Sequence, residues 1–317
     1  MVGALGNTLV ILAIAMYRKL RNVHNAFIIN LAVADLIINF CVDPVNIIGA
    51  RNKGATFLRH NFLCVALATI NMTSCIASMC SIASIAVERY LYICHYNWHP
   101  KIYNRCTVPF LVTAIWVYSF LIVLPNFKFI DWAGYRFDPA MLACLVDQTK
   151  ANETGYSLFL FALAWIVPNI AVCYCYIAIY LFVRKSRFRS GRQHTGGRVR
   201  SVDKHVLKVA LGVVIAFVSM WFPYSIAFTL SGYFPVPSWI IFVLGYIALL
   251  NSSVNFMIYA FSRDFRDGYR LVLRKMRKVI CCQRSPRGPR RENKRRIQVQ
   301  NVEIPLTAIK CTELTPV

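Results

Sequence analysis

Seven stretches of apolar residues, separated by short polar connections, fill most of the chain. They run over roughly 1–17, 24–49, 61–94, 107–125, 154–183, 205–231 and 238–261, and most reach the ~20 residues that a helix needs to cross hydrocarbon. In lipid only helices or closed barrels satisfy the backbone, and these runs are far too long for barrel strands. The pattern predicts an all-α membrane protein, a bundle of seven transmembrane helices over residues 1–261. The first stretch is short. About 17 residues precede Arg18, or roughly 25 Å of helix, so the amino terminus is expected to be truncated. Met1 to Leu5 lack the positive charge of a signal peptide.

Beyond the seventh stretch the pattern changes. Residues 262–280 intersperse Phe265, Tyr269, Leu271 and Val272 with cations, which predicts an amphipathic eighth helix on the membrane surface. Residues 281–317 are rich in Pro, Arg and Lys and are expected to be a disordered basic tail.

Charge then orients the bundle. Lys and Arg number 36 against 13 acids, a net charge of +23. The cations concentrate in alternate connections: Arg18, Lys19 and Arg21; Lys101 and Arg105; Arg184 to Lys204; and the tail from Arg263 to Lys310. The other connections hold only Arg51, Lys53, Arg59, Lys128, Arg136 and Lys150. By the positive-inside rule the amino terminus is outside and the carboxyl terminus cytoplasmic. Anionic lipid of the inner leaflet is the expected partner of the basic surface. Nucleic acid is not, because no soluble domain is left to carry it.

Of twelve cysteines, only Cys64 and Cys144 fall near the outer face. They either form a disulfide that pins the loop 126–153 over the bundle mouth or stay as two buried thiols. Cys281 and Cys282, just past the amphipathic stretch, are either a palmitoylation pair or unmodified thiols. Asn152, in the sequon Asn152-Glu153-Thr154, is an outer-loop glycosylation acceptor. Thr315-Pro316-Val317 either binds a PDZ-domain protein by strand addition or matches that pattern by chance. No Cys/His spacing fits a zinc site, and no catalytic aspartate pair, His-Glu-x-x-His string or Ser/His arrangement appears. The chain reads as no enzyme.

Polar residues at membrane depth are costly and are kept for a task. Asp35 lies midway along the second stretch, with Asn7, Ser78, Asn251, Ser252 and Asn255 as candidate partners. Two readings stay open: a sodium site built from carboxylate, hydroxyl and amide oxygens, or a hydrogen-bonded structural aspartate. At the end of the third stretch stands Glu88-Arg89-Tyr90. Arg89 is either a snorkelling anchor or a guanidinium clamped by Glu88 and by Asp203 at the foot of the sixth stretch, and freed when that helix swings out.

These residues together resemble the rhodopsin-like family of G-protein-coupled receptors over essentially the whole chain. The marks are Gly6-Asn7, Leu31-Ala32-Val33-Ala34-Asp35, Cys64, Glu88-Arg89-Tyr90, Trp116, Pro168 with Tyr176, Trp221-Phe222-Pro223, and Asn255-Phe256-Met257-Ile258-Tyr259. The resemblance implies a plasma-membrane receptor for an extracellular ligand that activates a heterotrimeric G protein, with arrestin as a further partner and sodium as an allosteric ion. It assigns Arg89, Tyr176 and Tyr259 to the G-protein crevice. One departure stands out: Phe256 occupies the usual proline position of the last motif. With an N–H restored there the helix keeps a hydrogen bond that proline breaks and is expected to be straighter.

Within the family, local strings look like melatonin receptors: Lys19-Leu20-Arg21-Asn22, Arg89 to His95, Val123-Leu124-Pro125-Asn126, and Phe137-Asp138-Pro139. The resemblance implies ligand contacts at Asn126 and Gln148, and Gi/o coupling. Val146 stands where those receptors stack an aromatic ring on the ligand, Ala164 where they carry a histidine and Ser225 where they carry an asparagine. Asn71 replaces the aspartate of monoamine receptors, so a simple monoamine lacks its counter-ion. The seventh stretch contains no lysine, which excludes a retinal Schiff base. The expected ligand is indole-like or another non-monoamine small molecule, sensed by the layer around Trp221. The alternatives are an atypical, non-signalling seven-helix receptor and a channel or transporter, although neither half of the chain repeats the other.

Overall fold

The computed structural model describes residues 2–127, 130, 132–138, 143–147, 153–190 and 204–283. Gln148, Asn152, Asp203 and the tail beyond Gln283 lie outside the described residues. The helices are α1 (Val2–Met16), α2 (Ala26–Ile37, a π-turn Ile38–Val42, then Asp43–Arg51), α3 (Asn61–Cys94) and α4 (Thr107–Val123). They continue with α5 (Glu153–Leu160, a π-turn Phe161–Ile166, then Val167–Ser190), α6 (Lys204–Ser231), α7 (Ser238–Tyr259) and α8 (Arg263–Gln283). Six of them are long and apolar enough to cross a membrane, and α1 is a shorter apolar helix. The protein is a multi-pass membrane protein with a seven-helix bundle. The chain divides into two compact units, residues 1–272 and 273–317, and the bundle belongs to the first.

Both π-turns end just before a proline. Pro44 has no N–H for the carbonyl of Phe40, and Pro168 none for that of Ala164; inserting one extra residue in the preceding turn accommodates the missing bond and the ring. In α6, Pro223 sits inside the helix.

The longest helix, α3, packs against α2, α4, α5 and α6, while α7 packs on α6 and α1. Hydrophobic association gives little between helices in lipid, so polar ties count. Trp116 Nε1 of α4 donates to Asn30 Oδ1 of α2 (2.9 Å), whose amide nitrogen donates to Ser81 Oγ of α3 (2.8 Å). Three helices are fastened at one level by two side-chain bonds.

At the end away from Arg89, the long loop forms an antiparallel hairpin, β1 (Tyr135–Asp138) with β2 (Ala143–Val146), Phe137 facing Cys144. Cys64 at the start of α3 is bonded to Cys144, with Cα atoms 5.4 Å apart, which decides between the two readings of these cysteines. Phe137 stacks on Phe57 (centroids 5.4 Å) over Gly54, whose φ of +83° and lack of a side chain let the ring approach. Cys64→Ala/Cys144→Ala is expected to cost about 2–5 kcal/mol of stability, read as an earlier thermal inactivation of solubilised receptor. Unchanged melting would mean that the hairpin is held by its aromatic contacts alone.

Candidate functional sites

Three sites lie along the bundle. Halfway down, Asp35 is 1% exposed and accepts from Asn255 Nδ2 at 2.9 Å, with Ser78 and Ser252 beside it. Asn7 of α1 donates to the Ser252 carbonyl (2.8 Å) and to that of Gly3 (3.0 Å). Asn251 points its amide nitrogen instead to Met220 Sδ of α6, 3.9 Å away. The buried amide oxygens of Asn7 and Asn255 have no hydrogen-bond partner among the described residues. A carboxylate beside hydroxyls and uncompensated amide oxygens fits a hard cation. No cluster of three or more His, Cys, Asp or Glu that could hold a metal ion occurs among the described residues.

The side chains of Glu88-Arg89-Tyr90 go three ways. Arg89 faces a partly open cavity between α2, α3, α6 and α7, lined also by Lys19, Asn25, Val213, Tyr259 and Phe265. Tyr259 is 2% exposed and stacks on Phe265 (5.1 Å); Tyr176 of α5 packs against the cluster of Ala86, Val172 and Cys175. The hydroxyls of both tyrosines are buried without a partner among the described residues. Tyr90 points away, its hydroxyl 2.9 Å from His95 Nε2 and its ring edge against Tyr174. Glu88, 1% exposed, lies 3.3 Å from Arg89 Nε and 2.8 Å from His99 Nε2. Sequence reading passed over His99. Its one signal was a histidine eleven residues past Glu88, just before Pro100, a residue suited to start a helical turn.

Beneath the hairpin lies a second, partly open cavity. Of the ligand candidates, Asn71, Val146, Trp221 and Ser225 line it. Its aromatic floor is continuous: Trp221 stacks on Phe217 (6.0 Å), which meets Trp165 (5.9 Å), while Tyr224 stands edge-on to Trp221 (6.1 Å). Among the described residues, no charged side chain lines this cavity. Asn126 is placed elsewhere. Its amide nitrogen donates to the hydroxyls of Tyr135 in β1 and Tyr156 in α5 and to the Val123 carbonyl, so it ties the hairpin to α4 and α5 outside the cavity wall. Burial pushes the Tyr135 phenol well above its ordinary pKa, which keeps this tie protonated at any physiological pH. Gln148 lies outside the described residues.

A family model described as 7 transmembrane receptor (rhodopsin family) matches residues 6–259. Melatonin receptor type 1B-B of Danio rerio is 31% identical over 84% of this chain and 77% of its own. Melatonin receptor type 1B of Homo sapiens is 29% identical over 86% of this chain and 75% of its own. Among solved structures, squid rhodopsin superposes with a TM-score of 0.70 at 20% identity, covering 90% of this chain and 84% of that one.

Proposed function

The chain belongs to the rhodopsin family of seven-transmembrane receptors and so is a G-protein-coupled receptor; we propose that its ligand is an uncharged, flat, largely apolar small molecule of the indole class. The observation that carries this reading is the cavity under the hairpin, walled by Trp221, Trp165, Phe217 and Tyr224 with no charged side chain among its described lining. A cationic amine there would lose its hydration without gaining a counter-ion. An aromatic ligand stacks on those rings and finds hydrogen-bonding groups at Asn71 and Ser225. The kinship with melatonin receptors supports the indole class and coupling to Gi/o proteins.

The basic connections support a cytoplasmic Arg89 end, by the positive-inside rule. The ligand then enters from outside, and a shift in the packing around Trp221 and Pro223 moves α6 away from Arg89. The opened crevice takes the carboxyl-terminal helix of the G-protein α subunit, and arrestin competes for the same surface. The cation fitted to Asp35 is sodium, held in the resting state and expelled when the layer contracts. Asp35→Asn is expected to remove the difference in agonist affinity between sodium and N-methylglucamine buffers. A sodium effect that survives the substitution would leave Asp35 a structural hydrogen-bonding residue.

The test of the reading is G-protein activation in cells expressing the receptor, read across the α-subunit classes with melatonin, related indoles and charged monoamines. A response to indoles through Gi/o supports it. A response to monoamines alone overturns the ligand class, and silence at good surface expression favours a non-signalling receptor.

A further inference from the structure

We infer that His99 is a positioning residue of the G-protein switch, holding the Glu88 carboxylate in the place from which it restrains Arg89. Neighbouring residues on a helix do not face each other, so Glu88 and Arg89 do not meet by virtue of helix geometry. Some group outside α3 has to aim the carboxylate. The structure supplies one. After α3 ends at Cys94 the chain turns back, and a short helical turn, His99–Ile102 with Pro100 at its start, delivers the imidazole against Glu88.

The contact is 2.8 Å from Nε2 to Oε1, shorter than the 3.3 Å from Arg89 Nε to Oε2. An ionised carboxylate only accepts hydrogen bonds, so Nε2 carries the hydrogen and donates it. One oxygen meets His99 and the other lies on the Arg89 side. The imidazole itself is fixed. It stacks on Tyr103 (5.3 Å, 21° between planes) and meets the edge of Tyr92 (5.3 Å), and Tyr103 in turn stands edge-on to Phe27 of α2. His99 is 7% exposed and Glu88 1%, so water cannot substitute for the bond. Without the donor, a buried carboxylate either takes up a proton or turns away. In both cases Arg89 loses its restraint and the resting state is weakened.

His99 is thereby placed to act on Arg89 through Glu88. A purely structural role would predict lost receptor, whereas this one predicts receptor that signals without ligand. The experiment is nucleotide exchange on purified heterotrimers by membranes bearing the full chain, normalised to receptor at the cell surface. His99→Phe keeps an aromatic ring between the tyrosines and removes the donor. It is expected to raise basal exchange about five-fold, a modest coupling between linked sites. His99→Gln, whose amide nitrogen reaches the place of Nε2, is expected to return exchange to the wild-type baseline. In a Glu88→Gln background, His99→Phe is expected to add nothing.

If His99→Phe fails to reach the surface, His99→Asn, one methylene too short to reach Glu88, takes its place in the same cycle. Unchanged basal exchange in the donor-less variants would overturn the inference. So would effects of His99→Phe and Glu88→Gln that multiply as independent changes do. The inference rests on Arg89 serving G-protein activation, and Arg89→Ala in the same assay separates the two failures. If Arg89→Ala signals normally, the switch itself is misplaced; if only the His99 variants are silent, the positioning role alone falls.

Discussion

Arg89→Ala is expected to lower ligand-stimulated nucleotide exchange by roughly thirty-fold or more, the consequence of losing about 2 kcal/mol at an arginine interface anchor, while receptor still reaches the surface. The basis is where the guanidinium stands. It faces the cavity shared with Tyr259, Val213 and Phe265, and its only ion pair among the described residues is with Glu88. The carboxyl-terminal end of an α-helix presents unsatisfied carbonyls and partial negative charge. Arginine offers five donors in a planar fork to meet them. Lysine brings a compact, more strongly hydrated charge with fewer donors, so Arg89→Lys is expected to recover only part of the exchange. The check is GTP analogue loading against surface receptor counted by antibody. Normal loading by Arg89→Ala would make Arg89 an anchor at the membrane boundary and remove it from the switch.

The bundle was legible in the sequence because its signal is long and local: an apolar run wide enough to cross lipid has few other solutions. Asp35, Arg89, Trp221 and Asn255 were legible for a related reason, since each is a polar or aromatic mark at a fixed place in such a run. Residues whose role depends on a distant partner were not. Asn126 read as a ligand contact because of the string around it; what that string did not show is that its amide nitrogen meets the hydroxyls of Tyr135 and Tyr156, one from a hairpin that no periodicity announced. β1 and β2 are four residues each, too short for an alternating pattern to stand out from a loop. The π-turns had a sequence cause in Pro44 and Pro168, but a proline specifies only that a bond is missing, and not how the helix absorbs it. His99 carried no motif at all; its importance appears only when the chain after α3 is folded back under Glu88.

Phe256 is a second such residue. With phenylalanine in place of proline, α7 runs unbroken from Ser238 to Tyr259, but the place of the phenyl ring depends on a partner in α1. The ring lies on Gly6 of α1, so close that a Cβ at residue 6 would collide with its Cδ1 and Cγ atoms. Cγ is the first atom beyond Cβ, so no bending of the ring tip relieves the clash. Either the whole side chain leaves its rotamer or α1 and α7 move apart. Close approach of helices at small residues is a main source of packing energy in lipid, and this contact sits beside the Asn7 to Ser252 bond that also joins α1 to α7. Gly6→Ala is therefore expected to destabilise the receptor by about 1–3 kcal/mol, the usual cost of overpacking, seen as lower surface expression and earlier thermal inactivation in detergent. The companion variant makes the cause readable. Phe256→Ala opens the space, so Gly6→Ala/Phe256→Ala should be more stable than Gly6→Ala alone, a coupling that two unrelated defects would not produce. Equal stability of Gly6→Ala and wild type would mean that the ring has another place to go, and that α7 is not locked to α1 through Phe256.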